Sequence, residues 1–342
     1  MMGRLAVVLF NLGGPDGPAD VRPFLQNLFS DPAIIGLPGF LRLPLARLIS
    51  TRREKPAQAN YALMGGGSPL LPQTYKQAGA LQDALTGAAD DVRVFVAMRY
   101  WRPLTEDTAL EVAAYQPDDV VLLPLYPQYS TTTTASSLKA WAEAYDGSGQ
   151  VHTVCCYPEA EGWVAAQVTA IRARLTEAGG RPVRVLFSAH GVPESVIKRR
   201  GDPYQAQVEA GATVLAEAAG LTDWSICYQS RVGPMKWLGP STPEAIEQAA
   251  RDGVGVIIVP IAFVSEHIET LVELDIEYAH LARELGVAPY LRCPTPSTDP
   301  AFISALSRAV RNALTGPSPA PYGPGCRSDF AACPCRESGA AA

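Results

Sequence analysis

Two of the four histidines in this sequence, His190 and His267, follow short and nearly continuous apolar runs, VRVLFSAH and VGVIIVPIAFVSEH. Such runs read as strands buried on both faces of a parallel sheet, and ligands bind these sheets beyond the strands' carboxyl ends. An imidazole at that position is placed for proton transfer or metal handling. Acidic residues continue from His267 at helical spacing: Glu269, Glu273 and Glu277, with Glu266 just before it. At about 100° per residue the four carboxylates fall within roughly 80° of arc on one helix face. Like charges at this spacing repel, and no Lys or Arg is interspersed between His267 and Ala282. The pattern predicts an acid–base or metal-handling centre. No HExxH or comparably tight zinc cluster accompanies it, and histidine-plus-carboxylate sets also suit iron.

The elements that must carry these groups are legible as recurring β-branched runs at residues 5–10, 92–97, 120–125, 152–156, 183–187, 225–228 and 254–263. Helix-period stretches such as 160–178 and 203–219 lie between them. This alternation predicts an α/β fold with parallel sheets and right-handed crossovers. The halves echo each other: VLFNLGGP resembles VLFSAHGVP, and VVLLPLYP resembles VIIVPIAF. Two similar Rossmann-like, doubly wound domains facing a common cleft account for both pairs. The turn-rich DGSGQ places their boundary at 150/151, giving domains 1–150 and 151–299. A helix over 300–314 ends the globular part, and 315–342 reads as a linker and cysteine-rich tail.

Composition narrows the function classes. With 342 residues, 47% of them hydrophobic, and a net charge of −6, the chain is globular material without the basic excess of a nucleic-acid surface. The N-terminus enters a strand-like run with no signal-peptide pattern, so the expected location is cytoplasmic. No apolar stretch is long enough to span a bilayer. Residues 34–49, IIGLPGFLRLPLARLI, lead into Arg52, Arg53 and Lys55, and suit either core packing or an interfacial lip in peripheral contact with a membrane. GGGSP at 65–69 lacks the Lys-Ser/Thr of a phosphate loop, and its glycines need no more than tight turns and close backbone approach to explain them.

Several long segments, in order, resemble the ferrochelatases. VLFSAHGVPESVIKRRGDPY, QSRVGPMKWLGP and VPIAFVSEHIETLVELDIEY are similar to the three signature segments of that family, and NLGGP, NYALMGGGSPL, MRYWRPLTE and LYPQYSTTTTASSL to its N-terminal half. The resemblance implies two Rossmann-like domains around a porphyrin cleft, and insertion of Fe²⁺ into protoporphyrin IX to give protohaem. It implies His190 as the base for the pyrrole protons or a ligand of the entering iron, with Glu269, Glu273 and His267 on the same path. It also implies a π-helical turn at the head of the acidic segment. Leu12, Tyr61, Ser68, Arg99, Tyr129 and Trp237 match positions that line the family's pocket. Two other readings remain at this stage: the same chemistry on coproporphyrin III, and a haem- or porphyrin-binding protein without turnover.

Seven cysteines in a chain without secretory features argue against a disulfide framework. Three crowd the tail as Cys326-x6-Cys333-x-Cys335, a spacing unlike a zinc knuckle. Iron–sulfur clusters take four ligands, and the adjacent Cys155 and Cys156 are the nearest candidates for the fourth. By resemblance to cluster-bearing members of the family, the tail implies a 2Fe-2S cluster held by three tail thiolates and one of Cys155 and Cys156, with Cys156 slightly favoured.

Overall fold

In the computed structural model, residues 3–231, 233, 235–316 and 330–336 are described. Among these residues, eight strands form two four-stranded sheets. The first contains β1 (Arg4–Asn11), β2 (Asp91–Met98), β3 (Asp119–Pro124) and β4 (Gln150–Thr153) in the order β2-β1-β3-β4. The second contains β5 (Val183–His190), β6 (Trp224–Gln229), β7 (Gly255–Pro260) and β8 (Tyr290–Arg292) in the order β6-β5-β7-β8. Every pairing is parallel. The second sheet therefore repeats the strand order of the first, which explains the echoes: VLFN and VLFS lie in the two central strands β1 and β5, and the other pair runs through β3 and β7.

Parallel strands are joined by helices that cover both sheet faces, so the central strands cannot alternate apolar and polar residues. From Leu5 to Asn11 every residue of β1 is buried, and so are all six of β7. One continuous apolar core joins the two sheets, from Leu5 and Leu9 of β1 to Phe187 of β5 and Val259 of β7. The helix Pro300–Thr315 belongs to that core through Phe302, Leu306 and Val310.

The sequence boundary at 150/151 falls inside β4, which pairs with β3 from Asp119↔Gln150 to Leu122↔Thr153. The first sheet thus extends to Thr153. DGSGQ is the turn into an edge strand rather than an interdomain linker, and only His152 of that strand is buried.

Four buried or half-buried glutamines tie the two halves together. Gln77, on the helix Leu70–Ala84, donates through Nε2 to the carbonyls of Val264 (3.0 Å) and Ser297 (3.1 Å) and accepts from Ser265 Oγ (2.9 Å). Gln73 accepts from the Glu266 amide, and Gln128 donates to the Ile261 carbonyl. Gln207 accepts from the Tyr129 amide in the opposite direction. A buried amide stabilises only when its partners are satisfied, and Gln77, fully buried, has three.

Residues 34–49 do not pack as core. They run into the helix Gly39–Ala62, on which Phe40 is 77% exposed and Leu41, Leu43 and Leu48 about half exposed, while Ala46 is buried. No helix among the described residues is long and apolar enough to cross a membrane.

Candidate active site

His190 is the last residue of β5, and Gln229, its register partner, is the last of β6. Both lie at the carboxyl edge of the second sheet. A loop past β7 carries His267 to the same edge, and the chain then enters a π-helix, Glu269–Glu277. Its i→i+5 bonding is visible at its end, where the Tyr278 amide donates to the Glu273 carbonyl. A π-helix holds more residues per turn than the 3.6 of an α-helix, so four-residue steps stay close to one line. Glu269, Glu273 and Glu277 therefore share a face, as expected for an α-helix but for a different geometric reason.

Glu266 does not join them. Its carboxylate meets Arg292 Nη1 at 3.0 Å and accepts from the Thr295 amide at 2.8 Å. Burial works against its ionisation, but Arg292 and the Thr295 amide hold it below the ordinary carboxylate range. Arg292 comes from β8, so the missing counter-charge is supplied by a neighbouring strand. The stripe is three carboxylates long.

Along it, the outermost carboxylate is the most exposed: the Glu269 side chain is 18% exposed and Glu273 is half-buried, whereas Glu277 is exposed. Glu269 Oε2 lies 2.7 Å from His190 Nδ1, and Glu269 Oε1 lies 4.0 Å from His267 Nε2. Burial opposes charge on Glu269, yet the two imidazoles and the Ser230 hydroxyl keep its carboxyl well below the usual range. Burial likewise opposes charge on His190, but Glu269, with Glu273 behind it, raises that imidazole above its ordinary value. His267 goes the other way. Only 8% exposed and 4.6 Å from the Phe263 ring centroid, it is lowered by burial against the pull of Glu269 and Glu266.

The ionised Glu269 can only accept, so His190 Nδ1 carries the proton between them, leaving Nε2 as the basic nitrogen.

Two positioning residues escaped the sequence reading. Ser230 has φ +62°, a left-handed conformation uncommon outside glycine. Its amide donates to Glu273 Oε1 (2.8 Å), and its hydroxyl reaches both Glu269 Oε2 (3.0 Å) and Glu273 Oε2. Gln229, fully buried, donates to the Glu269 carbonyl (3.0 Å) and Glu273 Oε2 (3.1 Å), and accepts from Ser188 Oγ (2.8 Å). Tyr278 OH adds a further bond to Glu273 at 2.6 Å. A Gln-Ser pair has no periodicity to announce it.

The first domain brings Leu12 and Tyr61 to this edge. Leu12, just past β1, packs in a cluster with Tyr61, Tyr100, Trp101 and Ile268, the residue preceding the π-helix. Burial and the Glu269 charge raise the Tyr61 phenol. The Arg99 amide binds the Asn11 carbonyl, and its guanidinium donates from Nε to Ser136 Oγ (2.7 Å) and from Nη2 to Asp31 Oδ2 (2.8 Å). Asp31 also accepts from Tyr100 OH and Ser136 Oγ. Ser68 lies against Gly14, where a Cβ would come within 2.6 Å of it. Trp237 bridges to Pro193 and lies over Gly191, next to His190.

Tyr129 is not brought to this group. Its ring belongs to a buried cluster with Cys155, Cys156, Cys333 and Cys335, flanked by Ala135 and Phe330. Cys326 lies outside the described residues. Among the described residues, no three His, Cys, Asp or Glu side chains are arranged to hold a metal ion.

A sequence profile of the ferrochelatases matches residues 4–314. The chain is 58% identical to the ferrochelatase of Phenylobacterium zucineum over 99% of its length and 100% of that protein's. It is 59% identical to the ferrochelatase of Caulobacter vibrioides over the full length of both. Among solved structures, SirB from Bacillus subtilis with Fe³⁺ superposes with a TM-score of 0.52 at 14% identity, covering 91% of this chain and 96% of that one. The sirohydrochlorin chelatase SirB from Bacillus subtilis subspecies spizizenii, in complex with cobalt, gives 0.51 at 12% identity, covering 92% and 96%. These two share the chelatase-like fold. With its profile match and its full-length identities, this chain belongs to the ferrochelatase family.

Proposed function

We propose that this enzyme inserts Fe²⁺ into protoporphyrin IX to form protohaem, with His190 taking up the displaced pyrrole protons and Glu269, Glu273 and Glu277 carrying the metal. The observation that supports these roles is the 2.7 Å contact of His190 Nδ1 with an ionised Glu269 at the inner end of the acidic stripe. Insertion replaces two pyrrole N–H bonds with metal–nitrogen bonds and changes no oxidation state, so it needs a proton acceptor and a supply of partly dehydrated cation. Nε2 of His190 suits the first task. Carboxylates of graded exposure suit the second, exchanging water for oxygen ligands in steps. By the resemblance, Leu12, Tyr61, Ser68, Arg99 and Trp237 would line the macrocycle's pocket; the packing of Leu12 and Tyr61 against Ile268 and of Trp237 over Gly191 supports this, and Trp237 offers a ring face for stacking on a pyrrole. Tyr129, matched to the same pocket by the resemblance, packs on the cysteine cluster.

The test is anaerobic incubation of the purified protein with protoporphyrin IX and Fe²⁺ or Zn²⁺ beside His190→Ala, with coproporphyrin III as a competing substrate. Equal, slow metallation by wild type and variant would overturn the assignment of the base.

The thiols support a 2Fe-2S cluster. Cys333 and Cys335 are buried with Cys155 and Cys156, an apolar, thiol-rich setting suited to such a group. Cys333, Cys335, Cys326 and one of the internal pair would hold it, supplying a covalent tie between tail and core. Cys156 Sγ also accepts from Gln207 Nε2 at 3.4 Å, a contact that favours a thiolate there. Protein isolated without oxygen should be coloured, and Cys155→Ser and Cys156→Ser identify the ligand by which one bleaches. A colourless preparation rejects the cluster.

The exposed Phe40, Leu41, Leu43 and Leu48 support peripheral membrane contact, which fits a substrate of low water solubility. Co-sedimentation with anionic vesicles, lost in a Phe40→Glu, Leu43→Glu double variant, checks it.

A further inference from the structure

The segment RGDPY, prominent in the sequence, has no part in the site described so far, yet it joins the tail to the base. Asp202 is 1% exposed and accepts four bonds. Its Oδ2 takes Ser130 Oγ (3.0 Å), the Thr131 amide (2.7 Å) and Thr131 Oγ1 (2.7 Å), and its Oδ1 takes the Tyr204 amide (2.9 Å). Tyr204, 6% exposed, opens the helix Tyr204–Ala219 and donates its hydroxyl to the backbone carbonyl of His190 at 2.9 Å. On the other side of Asp202, the Gly201 carbonyl accepts from the Ala332 amide at 3.1 Å, one residue before Cys333. Gly201 has φ +63°, and a Cβ there would lie 2.8 Å from the Ala331 Cβ. The Ser130–Thr131 partners of Asp202 follow Tyr129, which packs on the tail cysteines.

The tail therefore meets this bracket twice, through Gly201 and through Tyr129, and the bracket's far end fixes the backbone of His190. We infer that Asp202 and Tyr204 are positioning residues for His190, and that seating of tail residues 330–336 sets the placement of the base through them. The inference rests on His190 being the proton acceptor. The peptide after His190 is held on its amide side, where Gly191 donates to the Gln229 carbonyl at 2.8 Å, and the Tyr204 hydroxyl holds its carbonyl side, so together they fix the end of the strand that carries the imidazole. Small misplacements of a reacting group cost large factors in rate without changing how the substrate binds.

The experiment uses the full-length protein, purified anaerobically, and measures kcat and KM for Zn²⁺ insertion into protoporphyrin IX. Tyr204→Phe, which keeps the ring and removes the hydroxyl, should lower kcat roughly three- to thirtyfold. KM for porphyrin should move by less than about twofold. In a His190→Ala background the same change should have no further effect, because the group being positioned is gone. Wild-type kcat in Tyr204→Phe, or equal losses in both backgrounds, overturns the inference while leaving the role of His190 intact. A fast His190→Ala overturns both. For the tail arm, Gly201→Ala displaces Ala331 and should lower kcat with KM retained, without adding to the loss in Tyr204→Phe; multiplicative losses overturn the tail's part. If Gly201→Ala fails to fold, Ala331→Val, which crowds the same contact from the tail side, takes its place with the same expected outcomes.

Discussion

His190 Nδ1 and Glu269 Oε2 lie 2.7 Å apart, joining the last residue of β5 to the first of the π-helix. The contact raises one group and lowers the other, so each is set for its task by its partner.

The first expectation concerns pH. A base must be neutral to accept a proton, so metallation should rise with pH through the His190 pKa, which Glu269 holds above the ordinary 6.5. Glu269→Gln removes most of that support and leaves burial opposed only by the Glu273 charge. The rising limb should then move to lower pH while the plateau rate falls. A pH–rate profile for Zn²⁺ insertion checks both directions; an unmoved limb excludes Glu269 as the group tuning the base.

A second expectation concerns Asp31, which receives Arg99, Tyr100 and Ser136 while its side chain is only 3% exposed. Burial raises its pKa, but the Ser136 hydroxyl, the Ala33 amide and Arg99 together bring it below 3.8. Its contribution to stability is therefore present above the unfolded value and lost as pH falls through the lower folded value. Asp31→Asn should cost about 3 kcal/mol at pH 7. In urea titrations the gap from wild type should persist to mild acid and close only below pH 3.8.

Gly67 provides a third. A Cβ at this position would lie 2.4 Å from the Asp16 carbonyl oxygen, where GGGSP crosses the loop after β1. Backbone cannot swing aside as a side chain can, so Gly67→Ala should destabilise by about 2 kcal/mol. Calorimetry reads the effect. A neutral substitution would mean that the two loops are loosely packed.

Gln77 offers the fourth. Gln77→Leu preserves bulk but removes three hydrogen bonds between the halves of the molecule. Leaving their partners buried should cost about 3 kcal/mol. Urea unfolding followed by tryptophan fluorescence should show an earlier midpoint. An unchanged midpoint would place the strength of the junction elsewhere.

Much of this architecture was legible in the sequence because parallel strands buried on both faces need unbroken apolar runs. Those runs located β1, β2, β3, β5, β6 and β7 and placed His190 at the end of one, whereas β7 stops at Pro260 and a loop carries His267 on from it. The edges were harder. β8 has three half-buried residues and no run at all, and β4, expected over 152–156, lies at Gln150–Thr153 with one buried residue. Within the site, spacing found the carboxylates but could not assign their partners. Glu266 left the stripe for Arg292, which arrives on another strand, and Tyr129 went to the cysteines, because which groups meet depends on how separate elements pack.

The glutamine clasp and the shared core have a mechanical meaning for catalysis. A cleft closed by a hinge adapts to what it binds, whereas two sheets sharing one core and cross-linked by buried amides resist being pried apart. The spacing of the two sheets is therefore a property of the fold itself, set before anything is seated between them.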